Sequence, residues 1–278
     1  MSVILTIATT GPIATKADNP ALPTQPEEIA AAVSDAYDRG AAVAHIHVRD
    51  ELDRPTADVS IARRTIDLIT ERCPILIQLS TGVGLSVPFE EREALVELRP
   101  AMATLNPCTM SFGGAEFRNP PADVERLARR MLELDVKPEL EIYDSGHLDE
   151  CLRMRDRGLL SGRPQFSIVL GVRGGMAATP ENLVSMVSRL PDDAIWQVIA
   201  IGRRNLDLTA IGIARGRERA SRTRSHDPHR SGATIRRQQP SDRTRREARP
   251  RSRSTDRLRR SGATDPPAHA IHRDAVGV

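Results

Sequence analysis

Two histidines in the short stretch AHIHVRD could bind a metal ion. His45 and His47 are two positions apart, so on a β-strand both side chains point to the same face. Imidazole nitrogens bind Zn²⁺ and similar ions, and two of them leave room for a carboxylate and for substrate oxygens. The alternative is that one or both histidines only satisfy buried hydrogen bonds. Their place in the fold decides between these interpretations.

Two glycine-containing turns could bind an anionic ligand. In QLSTGVG, Ser80 and Thr81 precede a turn that could offer a hydroxyl and backbone N–H groups to a carboxylate or phosphate. Taken alone, an ordinary strand-to-helix turn explains this stretch better. In VLGVRGGM, the glycines would let a ligand approach the backbone closely, and Arg173 could bind an anionic group or simply be exposed.

The stretch TLNPCT puts Thr104 and Asn106 on one face of a strand. Both can form hydrogen bonds with a substrate, and the alternative is that they cap the end of the strand. Cys108 could be a nucleophile, but no histidine is near it in the sequence. We therefore interpret Cys108 as structural.

Seven short apolar runs rich in Val and Ile predict buried parallel strands. Segments of helical period separate them, which indicates a parallel α/β protein. The candidates are a (β/α)8 barrel and an open doubly wound sheet. The seven runs are residues 3–10, 41–48, 75–81, 102–106, 139–146, 166–172 and 196–202.

The positions of the polar residues favour the barrel. Nearly every predicted strand ends in side chains that can do chemistry, and a barrel builds its active site at the C-terminal ends of its strands. An open sheet would concentrate its site at one switch point. No glycine-rich nucleotide motif supports that alternative. The strand-end residues are His45, His47, Ser80, Thr81, Thr104, Asn106, Glu141 and Asp144.

The overall net charge of +3 hides two unlike regions. Residues 215–278 contain 18 arginines and 7 acidic residues, a net charge of +11, which leaves residues 1–214 with 22 basic and 30 acidic residues. The second region has no aromatic residue and cannot bury enough apolar surface to offset its chain entropy. We expect residues 1–214 to form the catalytic barrel domain and residues 215–278 to be a disordered tail.

The sequence also bears on where the protein is found. The sequence contains no run of 18 apolar residues, which a membrane-spanning helix would need. Its start, MSVILTIATTGP, lacks the basic region of a signal peptide. Three cysteines far apart argue against a disulfide framework. These features predict a cytoplasmic protein.

Seven blocks in residues 1–214 together resemble the β-keto acid cleavage enzymes, of the 3-keto-5-aminohexanoate cleavage enzyme type. The resemblance implies a (β/α)8 TIM barrel, usually a homo-oligomer, that binds a divalent metal, typically Zn²⁺. The blocks, in order, are TGPIATKADNPALPTQPEEIA, GAAVAHIHVRDELDRPTAD, CPILIQLSTG, RPAMATLNPCTMSFG, KPELEIYDSGHL, QFSIVLGVRGGM and IWQVIAIGR.

The resemblance also implies a reaction. A β-keto acid and the co-substrate acetyl-CoA would give acetoacetyl-CoA plus a shortened acyl-CoA or acid product. The metal would polarise the keto group of the substrate as a Lewis acid. The expected partners are therefore a small β-keto acid and a CoA thioester.

Matching this chain to the family by position gives the expected site. His45 and His47 resemble the two metal-binding histidines, and Ser80 and Glu141 resemble catalytic residues. Ile13 stands where the type enzyme has a substrate-binding glutamate, which suggests a substrate without the amino group. The expected substrate-binding residues are Ser80, Gly82, Val83, Thr104 and Asn106.

The chain departs from the family after TAIGIARG. There the family has an eighth strand that supplies the third metal ligand, a glutamate, with an arginine and an aspartate used in catalysis. Register matching puts Arg224 and Ser225 where the Glu and Asp should stand. A shift of reading frame near codon 216 explains the change. We expect an incomplete barrel with seven recognisable strands, weak metal binding and little activity for the chain as written.

Two other interpretations are compatible with the sequence. The arginine-rich tail could be a nucleic-acid-binding arm, although it has no aromatic residues on which bases could stack. Alternatively, the barrel is a lyase or aldolase of another type that uses the same histidine pair. Its metal site would be completed by His226 or His229.

Overall fold

The computed structural model describes residues 2–214, 219–222 and 232–238, and nine strands of these residues form one closed barrel. The barrel strands are β1 (Ser2–Ala8), β2 (Ala41–Ile46), β3 (Leu76–Leu79), β4 (Met102–Leu105), β5 (Lys137–Ile142), β6 (Gln165–Leu170), β7 (Ile195–Ala200), β8 (Arg219–Arg222) and β9 (Gly232–Gln238).

Helices alternate with the first seven strands. They are α1 (Pro26–Asp38), α2 (Val59–Arg72), α3 (Phe89–Ala94), α4 (Pro121–Glu133), α5 (Ser145–Asp156), α6 (Pro180–Ser188) and α7 (Asn205–Ala214). A 3₁₀ turn at Leu95–Leu98 follows α3. Two small hairpins lie outside the barrel and pair Val48–Arg49 with Pro55–Thr56 and Met110–Phe112 with Ala115–Phe117.

The seven strands predicted from the sequence are confirmed as one parallel sheet. Each of β1 to β7 pairs in parallel with the next along the chain. Parallel neighbours need a crossover connection, which the intervening helices provide. The α/β barrel class predicted from the alternation is therefore confirmed.

The closure of the barrel differs from the expectation of an open edge. β8 adds to β7 in parallel, and β9 pairs antiparallel with both β8 and β1. The unpaired backbone groups of an edge strand can pair with any extended segment, whatever its side chains. Two short segments of region 215–278 therefore close the sheet, and the prediction of disorder for the rest of that region lies outside the described residues.

Helix boundaries follow signals visible in the sequence. Pro26 begins α1, and Gly40, after the helix, has a φ of +97°, which favours glycine because it has no Cβ. The Thr179 hydroxyl accepts a hydrogen bond from the Asn182 N–H over 3.2 Å and caps α6.

The apolar core lies between the sheet and its helices. One cluster packs α4 to α6 against β4 to β7, and a second packs α1 and α2 against β1 to β3. The buried face of α4 is an apolar stripe of Val124, Leu127, Ala128 and Met131. Burying each large aliphatic side chain contributes about 1.5–3 kcal/mol.

The inner face of the barrel is polar. Because side chains alternate along a strand, the face opposite the helices points to the barrel axis. Each of the seven parallel strands places one polar side chain there that is fully buried. These are Thr6, His45, Gln78, Thr104, Glu139, Ser167 and Gln197.

Among the described residues, no helix is long and apolar enough to cross a membrane.

Candidate active site

His45 and His47 lie at the C-terminal end of β2, and both side chains are buried. Their ring centroids are 5.0 Å apart. Two imidazoles that share one Zn²⁺ at Zn–N distances of about 2 Å have ring centres roughly 5 Å apart. The spacing of the pair therefore fits two ligands of one ion.

A catalytic zinc site uses three protein ligands. The described residues contain no group of three or more His, Cys, Asp or Glu side chains that could hold an ion. Arg224 and Ser225, matched to the family's Glu and Asp, lie outside the described residues, as do His226 and His229. The described part supplies two imidazole donors and no complete metal site.

A group of five hydrogen-bonded side chains, here called the deep layer, fills the barrel interior around Glu139. Gln78 Nε2 and Gln165 Nε2 donate to Oε2 of Glu139 over 2.5 and 3.1 Å. Ser167 Oγ and Gln197 Nε2 donate to Oε1 over 2.5 and 2.7 Å. Because an ionised carboxylate only accepts hydrogen bonds, four donors match both oxygens of Glu139. The deep layer consists of Gln78, Glu139, Gln165, Ser167 and Gln197.

The deep layer contacts the histidine pair through one side chain. Gln78 Oε1 lies 2.9 Å from Nδ1 of His45, within hydrogen-bond distance. Gln78 and His45 are also partners in the register between β2 and β3. The orientation of the His45 ring is therefore tied to the buried carboxylate of Glu139.

A second polar group, here called the mouth layer, lies at or beyond the ends of β3, β4 and β5. The Thr81 N–H donates to Oγ1 of Thr104 over 2.9 Å, and the Thr81 hydroxyl donates to the Thr104 carbonyl over 2.7 Å. Thr104 thus holds the turn that follows β3. The mouth layer consists of Ser80, Thr81, Thr104, Asn106 and Glu141.

Asn106 has unused hydrogen-bonding capacity. Its Oδ1 and Nδ2 are buried and have no hydrogen-bond partner within the described part of the chain. A Cβ added to Gly82 would lie 3.4 Å from Nδ2 of Asn106 and 3.5 Å from Oγ of Ser80. Ser80, Gly82 and Asn106, three of the residues predicted to bind substrate, are therefore adjacent. Because Gly82 has no side chain, a small space between Ser80 and Asn106 stays open.

Val83, also predicted to bind substrate, packs its side chain into the apolar cluster beside α1 and α2. This leaves only its backbone available to a ligand.

Glu141 on β5 accepts a hydrogen bond from the hydroxyl of Tyr143 over 3.0 Å. Tyr143 is itself buried and packs with Met110, Phe117 and Val169. A phenol held by packing limits the rotamers of the carboxylate that it contacts. Tyr143 therefore fixes the position of the predicted catalytic glutamate.

Arg92 is buried and connects two loops at the mouth of the barrel through hydrogen bonds. Its Nε donates to the Thr81 carbonyl over 2.6 Å, and its two terminal nitrogens donate to the Arg118 carbonyl and to Oδ1 of Asn119 over 2.9 and 2.7 Å. The guanidinium lies over the rings of Phe89 and Phe117. Burial lowers the pKa of Arg92 to about 10.

Arg49, the arginine of AHIHVRD, is also buried. It donates to the carbonyls of Gly11 and Ala14 and, over 2.7 Å, to that of Asp53. It thereby holds the loop after β1, which carries Ile13 with 51% of its surface exposed. The loop in which the family type has its substrate-binding glutamate is tied to the strand that follows His47.

The glycines after β6 serve the packing of the protein itself. A Cβ on Gly174 would lie 2.0 Å from the Ser111 carbonyl oxygen, and one on Gly175 would lie 2.8 Å from that of Tyr143. Backbone of neighbouring loops therefore fills the space that the sequence suggested for a ligand. Arg173 is exposed.

Burial raises the pKa of the Cys108 thiol to about 11. Because the thiolate is the reactive form of cysteine, this agrees with the structural role predicted for Cys108.

The family model described as beta-keto acid cleavage enzyme matches residues 2–219. This chain belongs to the β-keto acid cleavage enzyme family. The resemblance found in the sequence is thereby confirmed, and the match ends close to residue 216, where the composition changes.

Several relatives of this β-keto acid cleavage enzyme carry names that describe activities related to one another. A 3-keto-5-aminohexanoate cleavage enzyme from Fusobacterium nucleatum is 38% identical over 216 residues, which are 77% of this chain and 79% of the relative. A 3-oxoadipate:acetyl-CoA acetyltransferase from Cupriavidus necator is 32% identical over 217 residues, 77% of this chain and 76% of the relative. Acetyl-CoA is thus a co-substrate named for members of the family.

Among solved structures, the ternary complex of ObcA with a C4-CoA adduct and oxalate resembles this chain with a TM-score of 0.64 and 18% identity. The match covers 75% of this chain and 58% of ObcA, so this chain matches under two thirds of the longer protein. The similarity supports the barrel fold.

Sequence reasoning missed several residues that position the site. Gln78, Glu139, Tyr143, Arg49 and Arg92 were not predicted. For Gln78 and Glu139 a signal existed, since each is a polar residue at an inward-facing alternate position within an apolar run. Arg92 lies on a short helix and contacts carbonyls far away in the sequence, so no local pattern could reveal it.

Proposed function

We propose that this member of the β-keto acid cleavage enzyme family exchanges an acyl group between a β-keto acid and acetyl-CoA. The observation that carries the proposal is that β2 to β5, four neighbouring strands, bring the predicted metal-binding and substrate-binding residues to one mouth of the barrel. This cluster occurs in a chain whose family membership is established.

In the exchange, C2 of the acid R–CO–CH₂–COO⁻ gives up a proton and bonds to the acetyl carbonyl carbon, which releases CoA thiolate. The thiolate then bonds to the R–CO carbon, the bond between that carbon and C2 breaks, and the proton returns to C2. The atoms balance with acetoacetate and R–CO–CoA as products, and equally with acetoacetyl-CoA and R–COO⁻. In both cases the acetyl carbons end in a four-carbon acetoacetyl product, which can be measured.

We propose that a divalent metal, Zn²⁺, binds to His45 and His47. The 5.0 Å between their ring centroids supports this assignment. When bound, such an ion polarises carbonyl oxygens of the substrate. The third ligand is not among the described residues, so we derive no catalytic step through the metal.

The chain's own residues would bind the acid and move its proton. The unused amide of Asn106 and the adjacent Ser80 hydroxyl can form hydrogen bonds with the substrate carboxylate. Glu141, held by Tyr143, would accept a proton from the CH₂ group between the two carbonyl carbons. A positioned carboxylate base contributes typically about 10²–10⁴-fold to such a step.

We propose a substrate whose R group carries no amine, because apolar Ile13 stands in the loop that Arg49 holds beside the site. We also infer a cytoplasmic homo-oligomer. For the cytoplasm, the support is that Cys73, Cys108 and Cys151 are all free thiols.

The test uses the 278-residue chain and, beside it, the chain read in the restored frame after codon 216. Each is incubated with Zn²⁺, acetyl-CoA labelled with ¹³C in the acetyl group, and β-keto acids with apolar, acidic or amine-bearing R groups. Mass spectrometry follows the label. We expect labelled acetoacetyl product from the restored chain, strongest with R groups that lack an amine, and little from the chain as written.

The matched variant is Glu141→Gln in the restored chain. It should fold normally and lose at least about 100-fold in rate, the lower range for a general base. Absence of label transfer from the restored chain with every acid would reject the proposed function. If the 278-residue chain reacted as fast as the restored chain and bound a full equivalent of zinc, the proposed loss of the third ligand would be rejected.

A further inference from the structure

We propose that Gln78 is a positioning residue that keeps the imidazole proton of neutral His45 on Nδ1, with the Gln78 amide locked in orientation by Glu139. Nε2 of His45 would then carry the lone pair. The inference rests on the proposed function only for the use of that lone pair, which is to bind the metal.

The first step concerns the orientation of the Gln78 amide. An amide has a donating and an accepting end, and neighbours decide which way it points. Gln78 Nε2 lies 2.5 Å from Oε2 of Glu139. We take Glu139 to be ionised, so that its oxygens only accept, and the NH₂ group then faces Glu139. The carbonyl oxygen of Gln78 therefore faces His45.

The second step transfers this constraint to His45. Gln78 Oε1 is 2.9 Å from Nδ1 of His45, and a carbonyl oxygen can only accept a hydrogen bond. Nδ1 must therefore be the protonated nitrogen. In a neutral imidazole this leaves Nε2 as the nitrogen with a free electron pair.

The third step concerns how firmly Glu139 holds the Gln78 amide in one orientation. Both oxygens of Glu139 are engaged by donors from β3, β6 and β7, and Glu139 is fully buried. If the Gln78 amide turned over, its oxygen would face a carboxylate oxygen and its NH₂ group would face His45. That arrangement loses the buried hydrogen bond to Glu139, which is costly to leave unmade, and places two oxygens against each other. The contact with His45 would survive only with Nε2 protonated. One orientation of Gln78 is therefore strongly preferred.

The deep layer thus acts on the metal-binding pair without contacting the metal. Histidines that bind metals commonly donate their second N–H to an oxygen acceptor, which fixes ring and tautomer. Here the acceptor is a neutral amide, and the carboxylate lies one residue further away. If the network only stabilised the barrel, the position of the His45 proton would not depend on Gln78.

The experiment is ¹⁵N NMR of the full chain with labelled histidine, at a pH where His45 is neutral and without metal. His45 is assigned by comparison with His45→Asn. We expect the parent to show the Nδ1-protonated tautomer and Gln78→Met to gain the Nε2-protonated form. Zinc affinity, measured by chelator competition, should fall about 10–100-fold in Gln78→Met.

Gln165→Met is the matched control. Gln165 also donates to Oε2 of Glu139 and does not link to His45, so this variant should keep the parent tautomer and a zinc affinity within about twofold of the parent. The proposal is overturned if the parent shows Nε2 protonated, or if both methionine variants shift His45 equally. If Gln78→Met does not fold, the parent tautomer decides the matter. The NMR result does not depend on catalysis, so the two proposals fail separately.

Discussion

The deep layer and the mouth layer occupy the same barrel interior but differ in how their hydrogen-bonding groups are used. In the deep layer, both oxygens of Glu139 accept hydrogen bonds from two donors each. In the mouth layer, both polar atoms of Asn106 are buried and have no partner among the described residues. Burying a polar atom without a partner costs free energy.

This difference distinguishes residues that stabilise the fold from residues that can bind a ligand. A hydrogen-bonded network such as the one around Glu139, in which Oε1 of Gln197 is the one buried polar side-chain atom without a partner among the described residues, contributes to stability and fixes the orientation of its members. An unsatisfied amide at the mouth lowers stability and is available to a ligand, as active sites commonly trade stability for function. The comparison predicts that substitutions in the deep layer will lower the free energy of unfolding more than substitutions in the mouth layer, and that replacing Asn106 will not lower it.

The largest effect should come from Glu139→Leu. The change leaves the three glutamine amides and the Ser167 hydroxyl without their acceptor, so we expect the free energy of unfolding to fall by about 3–5 kcal/mol. Urea denaturation measures the loss. Glu141→Leu is the matched change in the mouth layer, where we expect about 1 kcal/mol. Equal losses from both carboxylates would remove the distinction between the layers.

An intermediate effect is expected for Arg92→Met, which removes the support beneath the mouth. The carbonyls of Thr81 and Arg118 and the Asn119 amide lose their donor, so the free energy of unfolding should fall by about 2–4 kcal/mol. Arg126→Met is the control. Arg126 also lies near the Phe89 ring and forms ion pairs, but 46% of its side chain is exposed. Exposed pairs contribute about 0–1 kcal/mol, so a comparable loss there would contradict the role of burial.

The smallest effect, and one of opposite sign, is expected for Asn106→Leu. Replacing an unpartnered buried amide by an apolar group of similar size should leave stability unchanged or raise it by up to about 1 kcal/mol. In the frame-restored chain the same change should raise the KM for the β-keto acid.

Asn119→Leu provides the comparison for this change. Asn119 is equally buried, accepts from Arg92 and donates to the Cys108 carbonyl. Its loss should cost about 2 kcal/mol. Strong destabilisation by Asn106→Leu would mean that the mouth layer is as satisfied as the deep layer.

Much of the fold was predictable because strand and helix signals are local. Alternation of Val- and Ile-rich runs with segments of helical period predicted seven parallel strands, and Thr179 before Pro180 is a local signal for the start of α6. The closure by β8 and β9 was not predictable, since backbone pairing at an edge requires only an extended segment and leaves no mark on residue type.

The candidate site was predictable in part for a related reason. His45, His47, Thr104 and Asn106 are polar residues at strand ends, and spacing by two puts each pair on one face. The roles of Gln78 and Glu139 were missed because a polar residue inside an apolar run gives no information about its partner. Tyr143 and Arg92 act through contacts between distant parts of the chain.

The sequence by itself determined the family, the seven parallel strands, the place of the histidine pair and the break near residue 216, because these depend on residue order and periodicity. Only the tertiary structure decided that Glu139 lies among four donors, that Gln78 joins it to His45, and that the Asn106 amide has no hydrogen-bond partner among the described residues. Hydrogen bonds between strands depend on distances across the barrel axis, which the closure of the sheet sets.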